Sequence, residues 1–470
     1  MRSRPLLFLT SFSLFSLLAA PALATESLRV VTFNVLDIGT NGSAQNTALK
    51  AVLTRVNADV CLLQEVDQFE AGLVPSFAAS IGYPHIRNSG IAGTMTGGLM
   101  VSVLSKYPIL GSVAWNSKTI SGDSSANDMS RGILQVTIDV PDVCQPVTLF
   151  TFHIKSGSGS TNDFRRAVEI LRLKKVIEDY VAANPEHDVI FGGDFNNDPA
   201  FGPFGQTFNS LPGGLPQSYN LGNDISFPIV FDPFVTVAAI AGKGYAYVSA
   251  THEESNTLDS TIQSGLTLDY IWRAPLEIPA LGDEVYTSVA DNGVDDAPTG
   301  QWLYKNGAAL SSTTLSTASD HFPVFADFLL ESCHGVRYGF PSAGDHLLAA
   351  RGGITGIGTV GDASFGLKSI YAKPNTPCLL VLGQFKLSPP FGFSLSPFVP
   401  GAFLAVSPVA WYGIFAATSD AGGRVTYPLP LPPVPGIAGF PLLSQWFIND
   451  PAAPNGVGNV SDAYEFYVQP

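Results

Sequence analysis

Residues Val189–Pro199 read VIFGGDFNNDP: an apolar run meets two glycines and then sets down Asp194, Phe195, Asn196, Asn197 and Asp198. Side chains two positions apart on an extended backbone point to the same side, so the Asp194 carboxylate and the Asn196 amide emerge together where the strand ends. Gly192 and Gly193 carry no Cβ and let a large group approach the main chain closely. Such a strand end presents an oxygen acceptor and an amide to a phosphate and a water. The same letters also describe an Asx-rich turn after a core strand. The flanking sequence has to decide.

Upstream, VTLFTFHIKSG is a strand with His153 and Lys155 at its end. A Gly/Ser-rich loop then leads into a helix over about Asn162–Ala183, with Phe164, Val168, Leu171, Leu173, Ile177 and Tyr180 on its apolar face and Arg165, Arg166 and Arg172 on a basic one. Further back, LRVVTFNV (Leu28–Val35) is a β-branched run closing on Asn34, Leu49, Val52, Leu53 and Val56 fall at helical spacing, and VCLLQEVD is a strand ending in Gln64-Glu65. Strand, helix, strand is an α/β opening. GLMVSVLSKYPI and ILQVTIDV add strands, joined by a polar loop with Asp123, Asp128 and Arg131. Downstream, Pro203–Leu266 is loop-like, LTLDYIW is a short strand holding Asp269, and SDHFPVFADFLL brings Asp320 and His321. The irregular interval Pro275–Ser319 reads as an insertion, and His187 and His252 as surface residues.

The chain has 470 residues, 46% hydrophobic and 13% charged, with 46 Gly and 35 Pro, which suits two loop-rich, β-rich domains and excludes a helical bundle or a disordered chain. From residue 333 onward charges are few, and short apolar runs such as CLLVLGQF, AFLAV and YEFYV alternate with turn signals, as in a smaller all-β sandwich. Residues 1–24 read as a signal peptide: Arg2 and Arg4, the apolar LLFLTSFSLFSLLAA, and Ala22-Leu23-Ala24 before a mature start at Thr25. Export, secreted or to the periplasm or cell envelope, is the expectation, with no later stretch apolar enough to span a bilayer. The formal charge of −15 becomes about −17 once two arginines are removed, which disfavours tight non-specific binding of polyanions but leaves metal-assisted cleavage open. Cys61 reads as a buried thiol; Cys333 and Cys378 are available to pair in an oxidising compartment, although sequence does not set connectivity.

Taken in order, TFNV, LLQEVD, FHIKSG, GGDFNNDP, LDYIW and SDHFPV resemble the endonuclease/exonuclease/phosphatase superfamily, the DNase I-like group that includes neutral sphingomyelinases and inositol polyphosphate phosphatases. The resemblance covers residues 28–330 and implies a four-layer α/β sandwich for residues 25–332, followed by the all-β domain at 333–470. It implies a divalent metal, Mg²⁺ first and Mn²⁺ or Ca²⁺ as substitutes, held by Asn34, Glu65 and Asp320 through hard oxygen ligands. By the same resemblance Asp194 orients or deprotonates the attacking water and Asn196 binds phosphate oxygens. His321 acts on the phosphoryl group with its tautomer and charge set by Asp269, and His153 stabilises the transition state or protonates the leaving oxygen. Arg131 and Lys155 are candidate phosphate contacts. No Glu occurs between Glu70 and Glu169, so Asp123 or Asp128 would have to be the acidic partner that the resemblance implies for His153, or no residue fills that role.

The expected protein is therefore an exported, metal-dependent phosphodiesterase, with DNA as the first substrate and no stable nucleic-acid complex. A sphingomyelinase-like phospholipase C acting on lipid head groups is the alternative, for which the aromatics of the FGPFGQTF stretch or Trp302 and Tyr304 would face the lipid. An inactive secreted binding protein is the reading from another class. A monomer is expected, and the C-terminal domain contributes no catalytic residue.

Overall fold

The computed structural model describes residues 22–470 apart from 91–97, 116–119, 142, 144, 199–204, 216–219, 223, 254–257, 292–302, 304, 339–341, 343–349, 356–357, 371, 388–392, 396–402, 408–410 and 421–422. Most of the expected signal peptide, Cys144, Phe201, Phe204, Trp302 and Tyr304 lie outside the described residues.

In chain order the first part runs β1 (Ala22–Asn34), α1 (Ala44–Val56), β2 (Val60–Asp67), α2 (Val74–Ser80), β3 (His85–Asn88), β4 (Leu99–Ser105), β5 (Ile109–Trp115), β6 (Ile133–Ile138) and β7 (Val147–His153). It continues through α3 (Ser160–Ala183), β8 (Asp188–Asp194), the hairpin of β9 (Gln206–Phe208) and β10 (Ile229–Phe231), α4 (Pro233–Ala238), β11 (Ala246–Tyr247), β12 (Asp269–Arg273), β13 (Ala280–Val285), α5 (Thr314–Ala318) and β14 (Val324–Tyr338). One sheet has the order β14-β1-β2-β4-β3, with β13 also on β14; the other runs β11-β12-β8-β7-β6-β5. In each, a single parallel pair, β1/β2 or β7/β8, sits among antiparallel neighbours.

The central strands are apolar on both faces because both faces are covered. Val30, Leu62 and Val103 of the first sheet meet Val136, Leu149, Ile190 and Ile271 of the second. The other face of the first sheet packs Val31, Phe33 and Leu63 against Leu49, Val52 and Leu53 of α1 and Phe77 of α2. Phe150, Phe191 and Trp272 pack likewise on Leu173 and Ile177 of α3. The result is helix, sheet, sheet, helix: the expected four-layer sandwich.

Beyond it come β15 (Arg351–Thr355), β16 (Gly366–Ile370), β17 (Pro377–Gly383), β18 (Phe393–Ser394), β19 (Phe403–Leu404), β20 (Trp411–Thr418), β21 (Val425–Pro428), β22 (Pro441–Asn449) and β23 (Gly458–Tyr467). The region is all β, as expected, with a sheet β15-β16-β21 packed through Ile354, Leu367 and Val425 against Leu380, Trp446 and Phe466. The second half of β14 pairs with β23, so the first sheet continues through β23-β22-β17-β20. The position 332/333 thus falls inside one strand, long enough to serve both cores. Arg424 reaches back 3.3 Å to the buried Asp59, which Lys106 also approaches at 3.4 Å. Burial pushes the Asp59 carboxyl up, but the charges of Arg424 and Lys106 outweigh it and the net shift is downward.

Several expectations change. The interval 275–319 is no insertion: β13 pairs with β14, and Tyr286, Leu303 and Leu315 enter the core. The basic face of α3 is buried. Arg172 pairs with Asp128 and Asp224, Arg166 with Asp163, and Arg165 lies 3.9 Å from Glu169. The two partners of Arg172 come from distant loops, which helical periodicity cannot reveal. His252 is buried, its Nε2 2.6 Å from the Ser260 carbonyl. Cys61 is a buried thiol as expected, and Cys378 is another free thiol, its Sγ donating to the Thr376 carbonyl; the side chain of Cys333 lies outside what is described.

Arg55 of α1 holds Asp291 through Nε at 3.0 Å and Nη2 at 2.7 Å. Burial pushes the Asp291 carboxyl up, but hydrogen bonds from Arg55, Leu310 and Tyr286 overcome this and bring it to about 2. A carboxyl lowered on folding adds stability above its unfolded pKa near 3.8, and that stability is lost as pH falls through the folded value. Asp291→Asn is expected to cost about 3 kcal/mol at neutral pH, because it strands a buried guanidinium. Urea unfolding should show the gap to wild type closing between about pH 4 and pH 2; a constant gap would contradict the pairing.

Candidate active site

A strand that runs toward one end of the sandwich finishes there, and an antiparallel neighbour starts there. Asn34 ends β1, His153 ends β7 and Asp194 ends β8, while Asp269 begins β12 and His321 precedes β14. Register places His153 beside Asp194, and Asp194 beside Asp269. Glu65 lies near the end of β2, where the pairing with β4 shifts between Leu63 and Val66, and its φ of 59° is left-handed. Asn196 has φ 49°. Two non-glycine residues in this costly conformation at one strand edge are held by their surroundings. The Asn196 N–H donates to Asp194 Oδ1 at 2.7 Å and its Nδ2 to the Ile154 carbonyl at 3.1 Å. The Gly193 position is needed for close approach: a Cβ there would meet the Phe152 carbonyl at 2.2 Å.

Asp194 is the centre. Its Oδ2 accepts from Asn34 Nδ2 at 3.1 Å, and His153 Nε2 lies 3.5 Å and His321 Nε2 3.9 Å from it. His153 Nε2 is also 3.6 Å from Glu65 Oε1. His321 Nδ1 meets Asp269 Oδ2 at 2.8 Å, and Thr261 Oγ1 donates to the same oxygen at 2.8 Å. Ser319 Oγ ties the last loop to β1 by donating to the Asn34 carbonyl at 2.7 Å, and it accepts from the His321 N–H. Asn34, His153, Asp194, Asp269 and His321 are all buried; Glu65 is partly open.

Burial opposes charge on His321, but the Asp269 carboxylate beside it wins and raises the imidazole to about 10, so it stays protonated through neutrality. Burial, reinforced by Asp269, lifts Asp194 to about 7 despite His321 and the hydrogen bonds from Asn196 and Asn34. His153 moves the other way. Burial, with Arg131, His321 and Lys155 nearby, holds it well below the usual range, so its ring is neutral. A cationic histidine, a neutral histidine and a carboxylate near its midpoint thus share one pocket of charge, the separation of acid and base roles seen in proton-transfer sites.

Glu65, His153 and Asp194 offer ligand atoms within 4.8 Å of one another, as do Asp194, Asp269 and His321. Both His153 nitrogens and the buried Asp320 Oδ1 lack hydrogen-bond partners. Carboxylates gathered beside unsatisfied lone pairs fit a divalent cation, with Glu65 and Asp194 as hard oxygen ligands. Of the three expected metal ligands, Glu65 belongs to such a group. The Asn34 side chain is turned to Asp194, and Asp320 is in neither group.

Arg131 donates from Nη1 to the Ile154 carbonyl at 3.0 Å, beside Asn196 Nδ2 on the same oxygen. Lys155 Nζ donates to the Ser156 carbonyl at 2.7 Å, and burial with the Arg131 charge lowers its pKa. Neither Asp123 nor Asp128 serves His153. Asp128 accepts from the Ile120 and Ser121 amides and pairs with Arg172, and Asp123 accepts from Ser125. The acids facing His153 are Glu65 and Asp194 themselves. Glu169 of α3, which no motif marked, is buried behind Arg131 and Lys155 and accepts from the backbone of Ser130 and Lys155.

The model of the Endonuclease/Exonuclease/phosphatase family matches residues 31–321, more than half of the chain, and the protein belongs to that family. It is accordingly a hydrolase of phosphoester bonds, with a carboxylate and histidine cluster suited to a divalent metal. Among solved structures, the human Nocturnin catalytic domain with bound sulfate is 14% identical, with 65% of this chain and 97% of that chain covered and a TM-score of 0.41. An endonuclease/exonuclease/phosphatase from Bacteroides vulgatus is also 14% identical, covering 65% and 100% with a TM-score of 0.43. ANGEL2, a 2',3'-cyclic phosphatase in complex with adenosine-2',3'-vanadate, is 16% identical, covering 66% and 97% with a TM-score of 0.42. No curated protein matches the chain.

Proposed function

We propose that this protein is an exported, Mg²⁺-dependent phosphodiesterase that attacks phosphorus with water, with DNA as its substrate. The reading is carried by the environment of Asp194: a buried carboxylate raised to about 7, flanked by Glu65 and neutral His153 on one side and by protonated His321 on the other. A carboxylate so placed can orient the attacking water and accept its proton as the bond to phosphorus forms. His321 carries the positive charge toward the phosphoryl oxygens, and Asp269 keeps it there. Asn196 and Arg131, meeting at the Ile154 carbonyl, orient the diester. His153 works as a neutral hydrogen-bond donor beside the leaving oxygen and does not enter the reaction as an imidazolium. Glu65 and Asp194 would hold a divalent metal, which would supply charge stabilisation at the phosphoryl group and activation of water.

Export rests on the basic and apolar start of the chain. Among the described residues no helix is long and apolar enough to cross a membrane. The catalytic unit is residues 25–332, and no proposed site residue lies beyond His321.

One observation favours the phospholipase C reading. Leu36 and Phe69, 46% and 85% exposed, lie on the loops that follow Asn34 and Glu65, and the Asp37 N–H bonded to the Glu65 carbonyl pins those loops together. An apolar rim there suits a lipid surface. Mg²⁺-dependent nicking of supercoiled DNA by the mature protein, abolished by EDTA and by Asp194→Ala, is the expected result. Head-group release from sphingomyelin vesicles without nicking would replace DNA by lipid, and silence on both would overturn the catalytic reading.

A further inference from the structure

Glu169 is a carboxylate without a catalytic assignment, placed where the loop carrying Arg131 meets the segment that follows β7. It is 1% exposed and belongs to α3. One oxygen accepts from both the Ser130 N–H and the Ser130 hydroxyl; the other accepts the Lys155 N–H at 2.7 Å. Ser130 immediately precedes Arg131, and Lys155 follows Ile154 and stands two residues from His153. The Ile154 carbonyl receives both Arg131 Nη1 and Asn196 Nδ2, and the Asn196 backbone in turn donates to Asp194 Oδ1. A single helix side chain thus ties the loop carrying Arg131 to the end of β7, and through Ile154 to the residue that holds Asp194. Three donors on one buried carboxylate form a fully engaged anchor, the kind that locks a rotamer at a neighbouring site.

We propose that Glu169 is a positioning residue: by bridging Ser130 and Lys155 it holds the Arg131 guanidinium on the Ile154 carbonyl, in register with Asn196, where it receives the non-bridging oxygens of a phosphodiester. The inference rests on the proposed phosphodiesterase reading and adds to it the source of the phosphate clamp. Glu169 touches no reacting atom. Its effect passes through Arg131, so the two residues act as one unit whose contributions do not add.

The test is a double-mutant cycle with bis(4-nitrophenyl) phosphate and Mg²⁺, on the full mature chain. Arg131→Ala is expected to lower kcat/KM by about 30-fold, mainly through KM, as loss of a charged phosphate contact does. Glu169→Gln keeps the shape but presents an NH₂ to a donor, and should lower kcat/KM about 10-fold, again through KM. The double variant should be no worse than Arg131→Ala alone. Ser130→Ala removes only the hydroxyl donor; it keeps the test open if Glu169→Gln does not fold, with a few-fold loss that also vanishes in the Arg131→Ala background. Multiplicative losses, or a loss confined to kcat, would overturn the proposal. An Arg131→Ala variant with normal KM would overturn the assignment of Arg131 beneath it, and no hydrolysis by the unsubstituted protein would overturn the parent reading and this one together.

Discussion

Asp194→Asn is expected to reduce phosphodiester turnover about 1,000-fold while leaving the melting temperature unchanged or raised. The two effects separate because the residue serves reaction and fold in opposite senses. Both carboxylate oxygens are engaged, Oδ1 by the Asn196 N–H and Oδ2 by Asn34 Nδ2, so the isosteric amide keeps one of these bonds and opposes the other. The folded protein nevertheless holds this carboxyl at a cost, since burial and the neighbouring Asp269 lift it to about 7. A group raised on folding is destabilising when ionised, and removing the charge removes that penalty. What disappears is the base beside His153 and His321 and one oxygen ligand of the metal group. Calorimetry and single-turnover kinetics on the same preparation check both halves. A variant that loses activity only because it unfolds would refute the role.

The convergence of the candidate residues was legible because strands encode position simply. Asn34, His153, Asp194 and Asp269 each stand at the terminus of an apolar run, and a strand terminus is also a place in the fold once the runs share one sandwich. Pairings between distant segments were not legible. Arg165, Arg166 and Arg172 follow the helical spacing of an exposed basic face, yet all three are buried, and Arg172 pairs with Asp128 and Asp224, acids that no periodicity connects to it. Glu169 was hidden for the same reason: its meaning lies in backbone donors at Ser130 and Lys155, which any residue type supplies. β13 was missed because ALGDEV has little β-branched character, and its pairing with β14 overrides that weak propensity. The long β14 shows the limit of composition. The change in character near residue 333 is real, but a strand carries its hydrogen bonds through a change of core without a break.

Asp269→Asn removes the negative charge that sets two pKa values at once, and its expected effect is a displaced pH profile as well as a lower rate. With that carboxylate gone, burial opposes the charge on His321 with only Asp194 and Asp320 still favouring it, and the imidazole falls from about 10. In the native protein the protonated form persists until the pH passes the raised value, so activity that needs the imidazolium declines only in strong alkali. In the variant it declines at a lower pH. Asp194, relieved of a neighbouring negative charge, moves down in the same variant, which extends the acidic limb while the alkaline one retreats. The loss in kcat/KM should therefore be about 100-fold at pH 7 and larger at pH 9, because a misprotonated histidine forfeits most of its electrostatic contribution. Stability follows the same sign. A histidine raised on folding contributes fully below 6.5 and loses that contribution as pH climbs through about 10. Wild type should thus exceed the variant most in mild acid, and the difference should fade in alkali. Thr261, which donates to the same Asp269 oxygen and accepts the Leu268 and Asp269 amides, keeps the loop in place, so the comparison reads the charge and not a collapsed turn. An NMR titration of His321 gives a readout independent of turnover: an unchanged pKa in Asp269→Asn would mean that another group holds the proton.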